Sequence, residues 1–363
     1  MRSPRDSWLM FRANQMHTGV SSSNLASRPS LLWLAELGEI VSSPLVSNNL
    51  LYVPSMMGMI FALGAKEKNL VWHLDIGSPL ISSPLIHKNT LIVATFDTWV
   101  KGIRYLGANF VFAVDVLERR TKWKYKVDGD IFSSPCMFGN ICAIGSLDKN
   151  VYAIDINNGE LQWKYQTDDA VWSSPAVSDD TIFVGSDDGN LYALNFDGTI
   201  KWKSKLRGMA RSSSPCISNE KIFIGTYDGA MSAVNMVNGA IVWETLADSH
   251  VLSSPAIIGD MVLFGSSDHK LYCLNANNGK KLWQFEGNGE IWSSPALTEN
   301  NVFFGSLDGH LYCVDLKSGR QVWKFPTMQM IDSSPCIANE MLFIGSRDGI
   351  LYTFGSLSQD YIG

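Results

Sequence analysis

The sequence predicts an all-β fold, an eight-bladed β-propeller of four-stranded antiparallel blades, on three observations. The triplet Ser-Ser-Pro begins at Ser42, Ser82, Ser133, Ser173, Ser213, Ser253, Ser293 and Ser333, with spacings of 40, 51, 40, 40, 40, 40 and 40 residues. Tryptophan keeps the same beat at positions 33, 72, 123, 163, 202, 243, 283 and 323. Between these marks lie short β-rich runs separated by Asn-Asn, Asp-Gly and Ser-Gly turns. A period near 40 is that of one propeller blade, and such turns join meander strands rather than helices.

One cycle lays out the four strands as "EIWSSPALTE", "NVFFGSLDG", "HLYCVDLKSG" and "RQVWKFPT". Proline cannot donate to a ladder, so the prolines from Pro44 to Pro335 are expected on the innermost strand, an edge that lines the channel. The paired serines are expected to hydrogen-bond nearby backbone there. Each repeating tryptophan falls in the fourth strand, where a large rigid ring fills the wedge between blades. The chain ends on a third strand, "ILYTFGS", while "LLWLAEL" at 31–37 supplies a fourth. The N-terminal strand therefore joins the C-terminal blade and closes the ring, which removes its open edges.

Residues 1–30 read as a lead-in packing on one face, with Trp8, Phe11 and His17 as anchors, and 31–363 as a single propeller with an insertion at about 97–108. Net charge is −6 and basic residues do not cluster, which argues against a nucleic-acid partner. The uncharged run 40–65 has internal Pro, Asn-Asn and Gly and reads as two strands and a turn, not a membrane span. The six cysteines fall where other blades carry small core residues, so they read as buried thiols. With neither a secretory signal nor an N-terminal lipid-anchor cysteine, the expected localisation is cytoplasmic.

The segments "YAIDINNGELQW", "YCLNANNGKKLW" and "YCVDLKSGRQVW", with the lead-in "WLMFRANQMHTGV", resemble the pyrroloquinoline-quinone-repeat family, the quinoprotein-like and BamB-like eight-bladed propellers. The resemblance implies the tryptophan-docked fold and leaves function open, since the family holds both quinone-dependent dehydrogenases and non-enzymatic scaffolds of the BamB type. It also implies that members using the quinone add long insertions, calcium-binding carboxylates, a catalytic aspartate and, in many, a disulfide between adjacent cysteines. Here no two cysteines are adjacent and six of the seven spacings leave no room for insertions. No cofactor is expected.

Identical blades make a symmetric frame, so specificity is sought where blades differ. The loop leading into the first strand and the hairpin joining strands two and three share one face. Directly before Ser-Ser-Pro stand Phe132, Trp172, Trp292 and Asp332, against Val41, Ile81, Ser212 and Leu252 in the other blades. One step earlier, Arg211 interrupts an otherwise apolar position; two steps earlier come Glu39, Asp130, His250 and Glu290. The hairpin contributes Asp187, Tyr227 and Arg347. The insertion projects on the same face, where Trp99, Arg104 and Tyr105 would cover a bound ligand.

Of these, Arg211, Asp332, His250 and Glu290 are the candidate catalytic groups, as acids, bases or charge stabilisers, and the others are candidate ligand contacts. The histidines show no metal-ligand spacing, and no nucleophile elbow, phosphate loop or dinucleotide fingerprint occurs. The leading expectation is a small-molecule pocket at a lidded channel mouth, in a biosynthetic enzyme that needs no redox cofactor. The alternatives are a BamB-like scaffold for a protein partner and, third, a quinone-dependent dehydrogenase.

Overall fold

The computed structural model describes residues 7–96, 98–100, 103–105 and 109–356. Eight sheets, each of four antiparallel strands, form the ring. The first blade spans Leu45–Asp75 and the seventh spans Ala296–Pro326, each running from the channel outward in chain order. The eighth takes Cys336–Gly355 and is completed by Ser30–Glu36, which pairs with Ile350–Gly355. The ends of the chain thus share a blade, as the truncated last repeat requires. The uncharged run 40–65 holds three strands of the first blade, one more than expected, because the innermost strand is only Leu45–Ser47. In the insertion, Thr98–Val100 and Ile103–Tyr105 pair as a hairpin; the side chains of Trp99, Arg104 and Tyr105 lie outside the described residues.

Burial follows strand position. Second and third strands such as Thr181–Gly185 and Asn190–Asn195 are buried on both faces and read as continuous apolar runs. Outer strands such as Leu161–Gln166 alternate, with lysines on the open edge that discourage pairing with another chain. The outer-strand tryptophans dock blade to blade: Trp123, Trp163, Trp202, Trp243 and Trp283 each donate their indole N–H to a backbone carbonyl of the next blade. The turn glycine beside that carbonyl is required twice over. Gly198 has φ +85°, and a Cβ there would come 2.7 Å from the Trp163 ring.

The proline falls one residue before each innermost strand rather than within it, because the serines do the holding there. Ser173 exchanges both bonds with Gly185 across its own blade, at 2.8 and 2.9 Å. The lead-in satisfies the exposed edge of these short strands. Val46, Ile86, Val177, Ile217, Ile257 and Leu297 donate their amides in turn to the carbonyls of Trp8, Leu9, Gln15, Met16, Thr18 and Gly19. The lead-in thereby runs around one end of the channel. Of the three expected anchors, Trp8 and His17 are buried, whereas Phe11 is half-buried and lines the channel.

Arg12, unremarked in the sequence, is as buried as Trp8 and His17. Its guanidinium is 1 % exposed and donates to the carbonyls of Pro295, at 2.5 Å, and Pro255, at 3.1 Å. Burial lowers its pKa to about 10, so it stays charged at neutral pH. Among the described residues no carboxylate pairs with it. His17 donates from Nδ1 to the carbonyl of Pro215 at 3.1 Å. Burial, and then the charge of Arg12, push its pKa down to about 3 against the pull of that carbonyl.

Candidate functional site

With one end covered by the lead-in, the channel becomes a cup of about 460 Å³, open at the opposite mouth. Its wall is built from two stacked rings with one residue per blade in each, and Phe11 contributes to its lining from the lead-in. The lower ring is the second serine of every Ser-Ser-Pro. The amide of each donates to the hydroxyl of the next, from Ser43 to Ser83 at 3.0 Å, onward through Ser134, Ser174, Ser214, Ser254 and Ser294, and from Ser334 back to Ser43 at 3.3 Å. The ring is a closed circle of eight bonds around the channel. Each hydroxyl accepts one amide and, among the described residues, none donates its own proton to a protein acceptor. All eight line the cup.

The upper ring is where the blades differ. Phe132, Trp172, Arg211, Trp292 and Asp332 occupy five places, and aliphatic Val41, Ile81 and Leu252 the other three. Arg211 corrects the sequence reading. The buried position one step below the rim, filled by Val171 against Gly145 and by Val251 against Gly225, is filled in the fifth blade by Ala210 against Gly185. The amide of Ala210 donates to Ser186 as that of Val171 does to Ser146. Arg211 therefore stands level with Trp172, and Ser212 is an extra residue. The signal was present in the tryptophan spacing, 39 residues from Trp163 to Trp202 and 41 from Trp202 to Trp243.

Half of the mouth is a continuous run of ring and guanidinium contacts. Phe96 meets Phe132 at 5.2 Å, and Phe132 meets Trp172 at 4.4 Å. Arg211 lies 5.4 Å from the Trp172 ring and 5.3 Å from the Tyr227 ring, and Tyr227 stacks on His250 at 3.8 Å. Asp187 accepts from Nε and Nη2 of Arg211 at 3.2 and 3.0 Å. Burial holds the Asp187 carboxyl above the usual aspartate range, against the opposing pull of Arg211. His250 donates from Nδ1 to the carbonyl of Tyr227, which leaves Nε2 as the ring nitrogen with a free lone pair.

The other half is acidic. Asp332 accepts from Nε and Nη2 of Arg347 at 2.9 and 2.6 Å, and Glu39 lies 3.6 Å from Nη1 of the same arginine. Burial raises the Asp332 carboxyl as it does Asp187. Glu290 accepts the indole N–H of Trp292 at 2.7 Å, and Ser267 shares that N–H at 3.0 Å.

Eight of the candidate residues line the cup: Arg211, Asp332, His250 and Glu290 with Phe132, Trp172, Tyr227 and Trp292. Asp187, Arg347 and Glu39 stand behind them as partners in ion pairs. Asp130 serves through its carbonyl, which accepts from Leu147 and Ser146 of its own blade. The serine ring and Arg12 were missed.

Residues 107–361, more than two thirds of the sequence, match the family described as "Beta-alanine-activating enzyme, beta-propeller". The chain belongs to that propeller family. Residues 18–170 also match the family of the outer membrane protein assembly factor BamB. No curated protein matches the chain. Among solved structures, BamB from Moraxella catarrhalis is 16 % identical with a TM-score of 0.76, over 90 % of this chain and 100 % of that one. A europium-containing methanol dehydrogenase is 14 % identical with a TM-score of 0.78, over 97 % and 98 % of the two chains. Quinohemoprotein alcohol dehydrogenase from Comamonas testosteroni is 13 % identical with a TM-score of 0.82, over 97 % and 81 %. At such identities these likenesses establish the shared fold of this propeller family member and nothing of its chemistry.

Proposed function

We propose that this propeller holds a small organic molecule in the cup and acts on it by acid–base chemistry, without a redox cofactor. The observation that carries the reading is the upper ring: at one structural position repeated eight times, the side chains are aromatic, cationic, anionic or aliphatic according to blade, and all of them line one cavity. A concave site with aromatic walls and a few convergent polar groups is what a small ligand needs. His250 Nε2 is the base, its tautomer fixed by the Tyr227 carbonyl, and Glu290 is the carboxylate beside it on the next blade. Membership in a propeller family described for an activating enzyme suits a biosynthetic setting. Six free, buried cysteines suit a cytoplasmic protein.

The test is a thermal-shift screen of metabolite fractions against the wild type and Trp292→Ala. Compounds that stabilise the wild type and not the variant support the reading. A screen in which every hit protects both equally overturns it.

A second reading, a protein-docking mouth, is favoured by one observation. Met57, Met209, Met328 and Met330 are all exposed around the same rim, Met328 at 84 %. Flexible thioethers suit a surface that meets another protein. This reading expects a partner whose capture is lost on replacing the rim methionines by serine and kept in Trp292→Ala.

A further inference from the structure

Resting on the reading of the cup as a small-molecule site, we infer that its ligand is a small organic cation with an oxygen-bearing end, the ammonium held at the rim by Trp292 and Glu290 and the oxygen end in the serine ring.

The rim carries the first half of the argument. Arg211 is matched by Asp187, while Arg347 is shared between Asp332 and Glu39, and among the described residues Glu290 has no cationic partner at all. Among the described residues these groups carry an excess of two negative charges at a half-enclosed mouth, where field lines are focused. Trp292 differs from the other mouth aromatics. Phe132, Trp172 and Tyr227 each have a ring or a guanidinium packed against them, but among the described residues no ring or cation lies against Trp292, which is 37 % exposed. Its indole N–H is fixed by Glu290 and Ser267, which holds the ring in place. Donation of that N–H to a carboxylate enriches the π face, and a cation seated there also meets Glu290.

The neck carries the second half. The eight ring serines are 1 to 7 % exposed, they line the cup, and their hydroxyl protons have no protein acceptor among the described residues. A buried donor without an acceptor is costly, and a ring of them asks for oxygen atoms from whatever fills the neck. Beyond the ring, Arg12 is a buried cation that, among the described residues, is bound to the carbonyls that follow Ser254 and Ser294 in sequence. Among the described residues the cup is therefore negative at its mouth and donor-rich and positive toward its closed end. That polarity orients a ligand whose positive and oxygen-bearing ends are opposite.

Choline, its uncharged isostere 3,3-dimethyl-1-butanol, and tetramethylammonium, which lacks the oxygen end, are the probes, with binding to the full chain read by saturation-transfer NMR and calorimetry. Choline is expected to bind about tenfold or more tighter than the isostere, and Glu290→Gln to remove most of that preference. Ser254→Ala is expected to weaken choline and leave tetramethylammonium unchanged, which separates a neck contact from loss of folding. Equal or tighter binding of the uncharged isostere overturns the inference, as does failure of both cations to bind at tens of millimolar. Either result leaves the cup reading intact so long as Trp292-dependent compounds emerge from the metabolite screen; if none does, the cup reading fails with it.

Discussion

The amide of Ser334 donates to the hydroxyl of Ser43 over 3.3 Å, and this one bond joins the last blade to the first in a ring whose other links measure 2.9 or 3.0 Å. The same junction is bridged outside by Ser30–Glu36 pairing with Ile350–Gly355. The seam is also crossed by the amide of Ile40, which donates to the carbonyl of Ser346 at 3.4 Å, and by Asn339, whose side-chain amide donates to Oδ1 of Asn49 at 3.2 Å, so the long serine bond is one of several holds.

Removing a ring hydroxyl orphans a buried amide, which costs about 1–3 kcal/mol. Ser174→Ala, which orphans the amide of Ser134 after a 2.9 Å bond, is expected near the upper end of that range, and Ser43→Ala near the lower. Urea denaturation of the two variants checks the order. Equal losses would show that the seam is as tight as the rest of the ring.

The covered end of the channel makes stability depend on pH. His17 has its pKa lowered from 6.5 to about 3 by burial and by Arg12, so the fold favours its neutral form. That contribution is complete above pH 6.5 and is lost as pH falls toward 3, at about 1.4 kcal/mol per unit. Between pH 6.5 and 5 the loss is about 2 kcal/mol. The raised carboxyls of Asp187 and Asp332 act in the opposite sense, gaining stability as they protonate, so the quantity to read is the difference between wild type and His17→Gln in denaturation midpoints across this window. A difference that does not change with pH refutes the assignment.

The ring of blades, its closure and its docking tryptophans were legible because a repeat states its structure eight times. The mouth was legible in part, since divergence between repeats marks Trp172 or Trp292 without knowledge of any ligand. Arg211 was placed one step too deep because a missing residue in the outer hairpin "NFDG" is compensated by Ser212 in the following loop, so that Ser-Ser-Pro keeps its spacing while the segment between shifts. The ring of second serines could not be read, because adjacent identical residues give no sign of which ties its own blade and which reaches the next. Arg12 occurs once, in the unrepeated lead-in. Its environment is made by carbonyls 243 and 283 residues away, which no local pattern encodes.

Docking is testable at one position. Trp163 donates to the carbonyl of Phe196 at 2.8 Å and its ring lies on Gly198. Trp163→Phe keeps a ring and loses the bond, for about 1 kcal/mol, whereas Trp163→Ala opens a cavity between the blades and costs about 3–5 kcal/mol. Gly198→Ala is expected to cost about 2 kcal/mol, through its left-handed backbone and through overlap with the ring. Chemical denaturation gives the order. A Trp163→Ala loss no larger than that of Trp163→Phe would mean that the bond, not the wedge, holds the blades.

The pair at the rim is asymmetric, which fixes how its variants behave. The Asp187 side chain is 5 % exposed and that of Arg211 is 37 % exposed. Arg211→Ala strands a buried carboxylate and is expected to cost about 2 kcal/mol at pH 7.5, below the range for a fully buried pair because Arg211 reaches solvent. Asp187→Ala leaves a guanidinium still flanked by Trp172 and Tyr227 and open to water, at under about 1 kcal/mol. The double variant recovers most of the Arg211→Ala loss, because the carboxylate that needed a partner is gone. Burial already holds the Asp187 carboxyl above its ordinary range, and losing Arg211 raises it further, so the single-variant loss shrinks as pH falls from 7.5 to 5. A loss that persists unchanged at pH 5, or in the double variant, would assign the role of Arg211 to its stacking between the two rings and not to its charge.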